Sequence, residues 1–281
     1  GLALLGSRSS GLGALPRPDH VVVVIEENTG LEGLLASGNT PFIHSLVSDS
    51  AGKPTGALFT NSYGIGHPSQ PNYFALFAGD TLGVTTNAPP AQIFAAPNLA
   101  TALATKHLGF RAFSQSLGGG WPYARRHNPW PYFRGGKAYQ VDTTAFPKDA
   151  AGYEKLPTVS FVVPNDYHDM HSGPRSVADG WLRNLVAPYL SWAATHNSLL
   201  ILTWDESQIR SVNGRIPTIF SGPMVQPGRY DERIDHYSIL RTIEDFYHLQ
   251  HLGRTEKSPP ITDVWKTNPI RTIKAALHPN G

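Results

Sequence analysis

Two stretches of the chain join a run of aliphatic residues directly to oxygen-bearing ones. "HVVVVIEENTG" (20–30) places Glu26, Glu27 and Asn28 after four valines and an isoleucine, and "LLILTWDES" (199–207) places Asp205 and Glu206 after a similar run. A buried strand that ends in carboxylates and an amide is suited to holding a hard cation, whose preferred ligands are oxygen. The same groups also serve as helix caps or face solvent, and for one strand end alone that simpler reading carries more weight. Two such ends in one chain bring the readings level.

A third stretch, "NSYGIGHPSQPNYFALFAG" (61–79), ends a strand-like segment in glycine-rich turn residues and places Ser69 where a short apolar helix begins. A serine at that position is ordinarily an N-cap. It is also where a nucleophile is helped, because free backbone N–H groups and the helix dipole favour an alkoxide and an incoming anion. Serine needs a base or a metal to react, and a cation held by the strand-end carboxylates would lower its pKa. The histidines form a fourth group. "PNDYHDMHSG" (164–173) puts His168, Asp169 and His171 in one loop, "DHYS" (235–238) puts His236 at a helix start, and "RRHNPW" (125–130) supplies His127 and Asn128. His44, His107, His196, His248, His251 and His278 read as surface residues, and no spacing matches the helical H-E-x-x-H of zinc proteases.

These residues need a framework. Strand-like runs fall at 20–27, 56–63, 110–117, 157–164, 198–206 and 215–221, several of them apolar on both faces as in a covered central sheet. Helical spacing appears at 176–197, where Trp181, Leu182, Leu185, Val186, Tyr189 and Leu190 share a face and Pro188 is expected to kink the rod. It recurs at 236–249 and more briefly at 98–107. Strands alternating with helices predict a mainly parallel α/β sheet, whose ligands collect at the carboxyl ends of the strands. Between residues 118 and 155 the chain is rich in aromatics, glycine and proline without clear period, which reads as a long ordered loop. Its Trp and Tyr side chains either pack or cover a substrate group, and packing is the commoner outcome.

Length and composition suit one large domain, with no repeat or linker. We read residues 1–18 as a flexible N-terminal tail, the remnant of an export signal, and 19–281 as a single domain. A formal charge of +2 is too small to argue for nucleic acid, and the absence of any run of about 18 apolar residues argues against an integral membrane segment. With no cysteine, disulfides, thiolate zinc sites and cysteine nucleophiles are excluded. No Asn-x-Ser/Thr sequon occurs, which is compatible with a bacterial source.

Taken in order, "VVVVIEEN", "GHPSQPNY", "YARRHNPW", "LPTVSFVVPNDYHDMHSG", "LTWDE" and "IDHYSILRTIEDFY" resemble the phosphoesterase family of bacterial acid phosphatases and phospholipases C. The resemblance runs from about residue 20 to 250 and is nearest to the compact secreted acid phosphatases. It implies a three-layer α/β/α fold with a mostly parallel central sheet, an alkaline-phosphatase-like core. It also implies that Asn28, Ser69, Asp205 and Glu206 bind a divalent metal, with Ser69 as nucleophile and Glu27 in support. Asn128 and His171 match positions that hold the substrate phosphate, and His236 matches a recurrent position near the site. His67 and His127 are left without a role. An oxygen-rich ligand set suits calcium, magnesium or manganese. The histidines either support a second metal or bind and protonate phosphate, and both remain open. Many relatives continue after "TWDE" with further acidic residues, whereas this chain reads "SQIRS", which argues against an extra calcium site there.

The expected activity is hydrolysis of a phosphate monoester through a phosphoserine, with His171 or His236 protonating the leaving group and an acidic optimum. The expected partner is a small phosphate ester or a phospholipid headgroup, phosphoinositides included. The expected protein is a monomer, secreted or in the periplasm or cell envelope. The alternatives are a phospholipase C or other phosphodiesterase on the same fold, and a metal- and phosphate-binding protein without catalysis.

Overall fold

The computed structural model describes residues 15–48, 51–208 and 213–266. Most of the tail read at 1–18, residues 209–211 of the "SQIRS" departure, and His278 lie outside the described residues.

The centre of the molecule is β1 (His20–Glu26) beside β7 (Ser198–Trp204), both entirely or almost entirely buried. Branched valine and isoleucine side chains are stiff and pack well on a pleated surface, so five in succession make β1 a strand covered on both faces. The two strands run parallel in a register that sets Glu26 opposite Trp204, so their carboxyl ends finish side by side. Around this pair an eight-stranded sheet has the order β5 (Gln140–Asp142), β4 (Phe110–Ser114), β6 (Val159–Val163), β1, β7, β8 (Thr218–Ser221), β2 (Ala57–Phe59), β9 (Gly228–Tyr230). Only β8 runs against its neighbours. A two-stranded sheet pairs β3 (Ser62–Tyr63) with β10 (Ile234–Asp235).

Strand alternation separates two cores. Val21, Val23 and Ile25 face α3 (Ser69–Ala78), α4 (Leu99–Ala104) and α7 (His236–Phe246). Val22 and Val24 face α1 (Leu31–Leu35), α2 (Pro41–Val47), α5 (Ala150–Tyr153) and α6 (Arg175–Ala193). The fold is therefore the expected mixed α/β architecture with a mostly parallel central sheet between helical layers.

The differences from the sequence reading lie at short elements. The run at 56–63 divides into β2 and β3, because Thr60 donates its N–H to Tyr230 O (2.8 Å) before the chain turns to a second sheet. Strands β5, β9 and β10 have two or three residues each, too few to show alternation. The 215–221 run is extended only from Thr218. The long helix α6 runs as one element with Pro188 inside it. In the aromatic segment, Trp130 and Phe133 are buried against Phe77 and pack rather than reach a substrate. Trp121 is the opposite case, 76 % exposed.

A buried carboxyl ties α7 to the segment that follows it. Glu244 accepts hydrogen bonds from the N–H of Leu252 (3.0 Å) and from Thr255 Oγ1 (2.7 Å). Burial pushes its pKa up to about 7 in spite of those bonds. The folded chain thus keeps a proton that the unfolded chain releases near its ordinary value. The stability from this proton is full below that value and is lost as pH rises through about 7, amounting to about 3 kcal/mol. We expect Glu244→Gln to remove that loss. Urea midpoints should shift in the variant's favour between pH 5 and pH 8, and a difference independent of pH would contradict the assignment.

Candidate active site

The first residues past β1 and β7 continue the alternation of their strands, and this decides which carboxylates meet. Glu26 lies fully buried on the α6 side with no partner for either oxygen. Burial, then the charges of Asp169, Asp179 and Asp205, hold its pKa well above the carboxylate range. Glu27 and Asp205 point to the other face, where α3 begins. The two adjacent glutamates of "IEEN" therefore serve opposite sides of the sheet.

Ser69 opens α3, all ten of whose residues are buried. It does not cap its helix. Its hydroxyl lies 2.9 Å from Glu27 Oε1 and 3.2 Å from Glu206 Oε1, and it donates its one proton to these carboxylates. The turn before it is fixed by Asn72, whose Oδ1 accepts from Ile65 N–H (2.8 Å) and whose Nδ2 donates to Gly66 O (2.8 Å) and Pro68 O (3.2 Å). Gly64 passes so near the end of β7 that a Cβ would lie 2.6 Å from Asp205 O, which leaves room for glycine alone. Gln70 anchors the helix start: its side chain donates to Thr86 O and Ala88 O (2.8 Å each) and accepts from Arg125 Nη1 (3.1 Å).

Asp205 Oδ1 accepts from the N–H groups of Asn28 (3.0 Å) and Glu206 (2.6 Å), with Asn28 in the left-handed region at φ 43°. Its Oδ2 is buried without a partner, and so is Asn28 Oδ1. His67 Nδ1 lies 2.6 Å from Glu206 Oε2, and His171 Nδ1 lies 2.7 Å from Glu27 Oε2. Both rings sit at the mouth, with side chains 39 % and 45 % exposed. His127 lies at the base, its Nε2 3.9 Å from Glu27 Oε1 and 4.0 Å from Asp205 Oδ2.

The electrostatics follow from crowding three carboxylates together. Burial, then the charges of Glu27 and Glu206, raise the Asp205 pKa well above its ordinary value. Burial also raises Glu206, against the pull of His67. Glu27 goes the other way: burial acts to raise it, but His171, His127 and Ser69 together hold it below its ordinary value. The His171 pKa is raised, first by its contact with Glu27. Burial, reinforced by the Arg126 charge, pushes His127 down to about 3, so the imidazole is neutral.

This chemistry fits a divalent cation. A buried amide oxygen and a buried carboxylate oxygen have no protein partner, and crowding and burial raise the pKa of both Asp205 and Glu206. Asn28, Asp205, Glu206 and Ser69 would hold the ion. Glu27, His127 and Asp205 also offer ligand atoms within 4.8 Å of one another.

Two other residues singled out in the sequence are placed differently. His236 is fully buried and its Nε2 bonds to Trp204 O (2.9 Å), behind the end of β7, so it supports the strand that carries Asp205 rather than reaching Ser69. Asn128 accepts from Ser114 Oγ (2.5 Å) and donates to Ala124 O (2.7 Å), so both ends of its amide hold the aromatic loop in place. Sequence reasoning missed Tyr73, stacked on His127 at 4.8 Å, and the Arg126–Asp166 ion pair at 2.9 Å. Gln70 and Asn72 carried a usable signal, since amides at the start of an otherwise apolar helix call for partners.

The architecture is shared with solved structures of the alkaline phosphatase superfamily. A superfamily protein from Vibrio parahaemolyticus superposes with a TM-score of 0.61 over 89 % of this chain and 72 % of its own, at 12 % identity. The lipoteichoic acid synthase LtaP from Listeria monocytogenes gives 0.58 over 92 % and 77 %, at 11 % identity. At that identity the likeness is one of fold. The chain belongs to the Phosphoesterase family, whose profile matches residues 46–250. A phosphatidylinositol-3-phosphatase from Mycobacterium tuberculosis is 42 % identical over 90 % of this chain and 84 % of its own length. An acid phosphatase from Aspergillus fumigatus is 30 % identical over 74 % of this chain, which spans about half (52 %) of that longer relative. With these relatives the chain is a phosphoric ester hydrolase. No helix among the described residues is long and apolar enough to cross a membrane.

Proposed function

We propose that the chain is a metal-dependent acid phosphatase that hydrolyses phosphate monoesters through a phosphoserine, with phosphoinositides among its substrates. The observation that carries this reading is the Ser69 hydroxyl, at the start of a buried helix and donating into a nest of carboxylates. Asn28, Ser69, Asp205 and Glu206 would hold a divalent cation, whose charge would lower the hydroxyl's pKa and offset that of the phosphoryl oxygens.

The chain's own groups do the rest. Ser69 Oγ gives its proton to the carboxylate it faces and attacks phosphorus, and the ester oxygen departs as phosphoserine forms. His171, at the mouth and held by Glu27, donates the proton that the departing alkoxide needs. The imidazole left behind then takes a proton from the water that attacks phosphoserine, the carboxylate returns its proton to Ser69 Oγ as the serine P–O bond breaks, and inorganic phosphate leaves. The raised pKa of His171 favours its protonated form, which supports an acidic optimum. A phosphoinositide is supported by the activity for which the mycobacterial relative is named and by exposed Trp121, whose neighbour Pro122 accepts from Asp166 N–H (2.8 Å).

The test is phosphate release from p-nitrophenyl phosphate and from a short-chain phosphatidylinositol 3-phosphate, against bis-p-nitrophenyl phosphate as diester, at pH 5 and pH 7. We expect both monoesters to be cleaved faster than the diester, and EDTA to stop the reaction. Faster cleavage of the diester would overturn the reading in favour of a phosphodiesterase or phospholipase C.

A further inference from the structure

We propose that His127 is a further, nitrogen ligand of the site's cation, reaching it from the side of Glu27 and Asp205, and that it turns the site's preference from calcium or magnesium toward an imidazole-accepting metal, zinc or iron(II). The inference rests on the metal-dependent reading of the same site and adds the ion's class.

His127 is fully buried, yet neither ring nitrogen has a hydrogen-bond partner. A buried imidazole without partners is uncommon, since desolvated polar groups are normally satisfied. Its orientation is fixed by the Tyr73 ring stacked on it at 4.8 Å and 19°. Nε2 is 3.9 Å from Glu27 Oε1 and 4.0 Å from Asp205 Oδ2, and Asp205 Oδ2 is itself unpartnered. Those separations are too long for hydrogen bonds. They suit donors around an ion: two atoms each about 2.1 Å from it lie about 3 Å apart at a right angle and about 4.2 Å apart when opposite.

His127 also lies within 4.8 Å of ligand atoms of Asp166 and Asp169, so the side the ion takes has to be decided. Asp166 is already paired with Arg126 through both guanidinium ends, at 2.9 and 3.2 Å. Asp169 Oδ1 accepts the N–H groups of His171 (2.9 Å) and Ser172 (2.8 Å). On that side Asp166 already has its cation, whereas Asp205 Oδ2 faces no donor. The ion belongs with Glu27 and Asp205. Oxygen ligands alone favour calcium, magnesium or manganese, and a neutral imidazole shifts selection toward zinc and iron.

The test measures binding rather than turnover. EDTA-stripped protein is titrated with Zn²⁺ and with Ca²⁺, as wild type, His127→Gln, His127→Ala and Asp166→Asn, with the Tm of each stripped protein recorded. Zinc affinity should fall about tenfold or more in a His127 variant that keeps the wild-type Tm, while calcium affinity stays within about threefold. Wild-type protein loaded with Mn²⁺ should also show electron spin-echo modulation from a directly bound imidazole nitrogen, a readout that needs no variant. Absence of that modulation, or unchanged zinc affinity in a folded His127 variant, overturns the proposal and leaves the metal-dependent phosphatase reading standing. An equal loss in Asp166→Asn overturns it by moving the nitrogen to the neighbouring cluster. No binding of any divalent ion by wild type overturns both.

Discussion

Ser69→Ala is expected to lower the rate of phosphate release on the order of 10⁴-fold while leaving the fold intact. The replaced side chain is small and buried, and its methyl fits the same space, so the loss should fall on kcat and not on Tm. The hydroxyl bonds only the carboxylates of the site and holds no backbone group whose loss would mask the effect. It does not cap α3, and Asn72 and Gln70 hold the helix start without it. Wild type quenched in acid during turnover should carry phosphate on one serine, and the variant should carry none. A variant retaining more than about a tenth of wild-type kcat would remove Ser69 as nucleophile and return it to the role of a helix-start residue.

Asp205→Asn should move activity and stability in opposite directions. An asparagine can keep its oxygen toward the N–H groups of Asn28 and Glu206 while presenting an amide where Oδ2 now lies unpartnered. Ion binding should weaken, and phosphate release should fall on the order of 10³-fold, the effect of losing several kcal/mol of charge stabilisation. The metal-free protein should melt higher than metal-free wild type at neutral pH, because burial and the neighbouring Glu27 and Glu206 charges oppose ionisation of Asp205. Since that pKa is raised, the wild-type deficit grows as pH rises above the ordinary aspartate range, and the Tm difference should widen with it. Scanning calorimetry with and without EDTA across pH 5–8 checks both signs. A lower metal-free Tm for the variant would mean that Asp205 supports the fold through its backbone contacts more than its charge opposes it.

The parts of this molecule legible in the sequence were those fixed by long apolar runs. Five branched residues in β1 and a near-continuous aliphatic β7 specify covered parallel strands, and their ends specify where polar groups gather. Alternation along β1 brings Glu27 rather than Glu26 to the site, on the face of Asp205, whereas Glu206 reaches Ser69 from beyond the end of β7, where alternation no longer holds. Residues on loops and helix starts were harder, because their direction is set by contacts distant in sequence. His236 begins an amphipathic helix, and nothing local shows that its ring turns under β7 toward Trp204 O. Asn128 and His127 are adjacent, yet one is engaged by Ser114 and Ala124 while the other looks into the site. His127 lies under the Tyr73 ring of α3, a contact between parts of the chain far apart in sequence.

The pairing of β1 with β7 also has a temporal side. Asn28 and Asp205 are bonded across 177 positions of chain, so neither half of the site exists until a contact of very long sequence separation has closed. Such contacts are among the slowest for a chain to make, because loop-closure entropy comes due before they reward it. A nascent chain still short of residue 206 therefore holds no place for the ion. An ion that binds only the finished site then acts as a latch, drawing the late, nearly folded population into the native state in proportion to RT ln(1 + [L]/Kd).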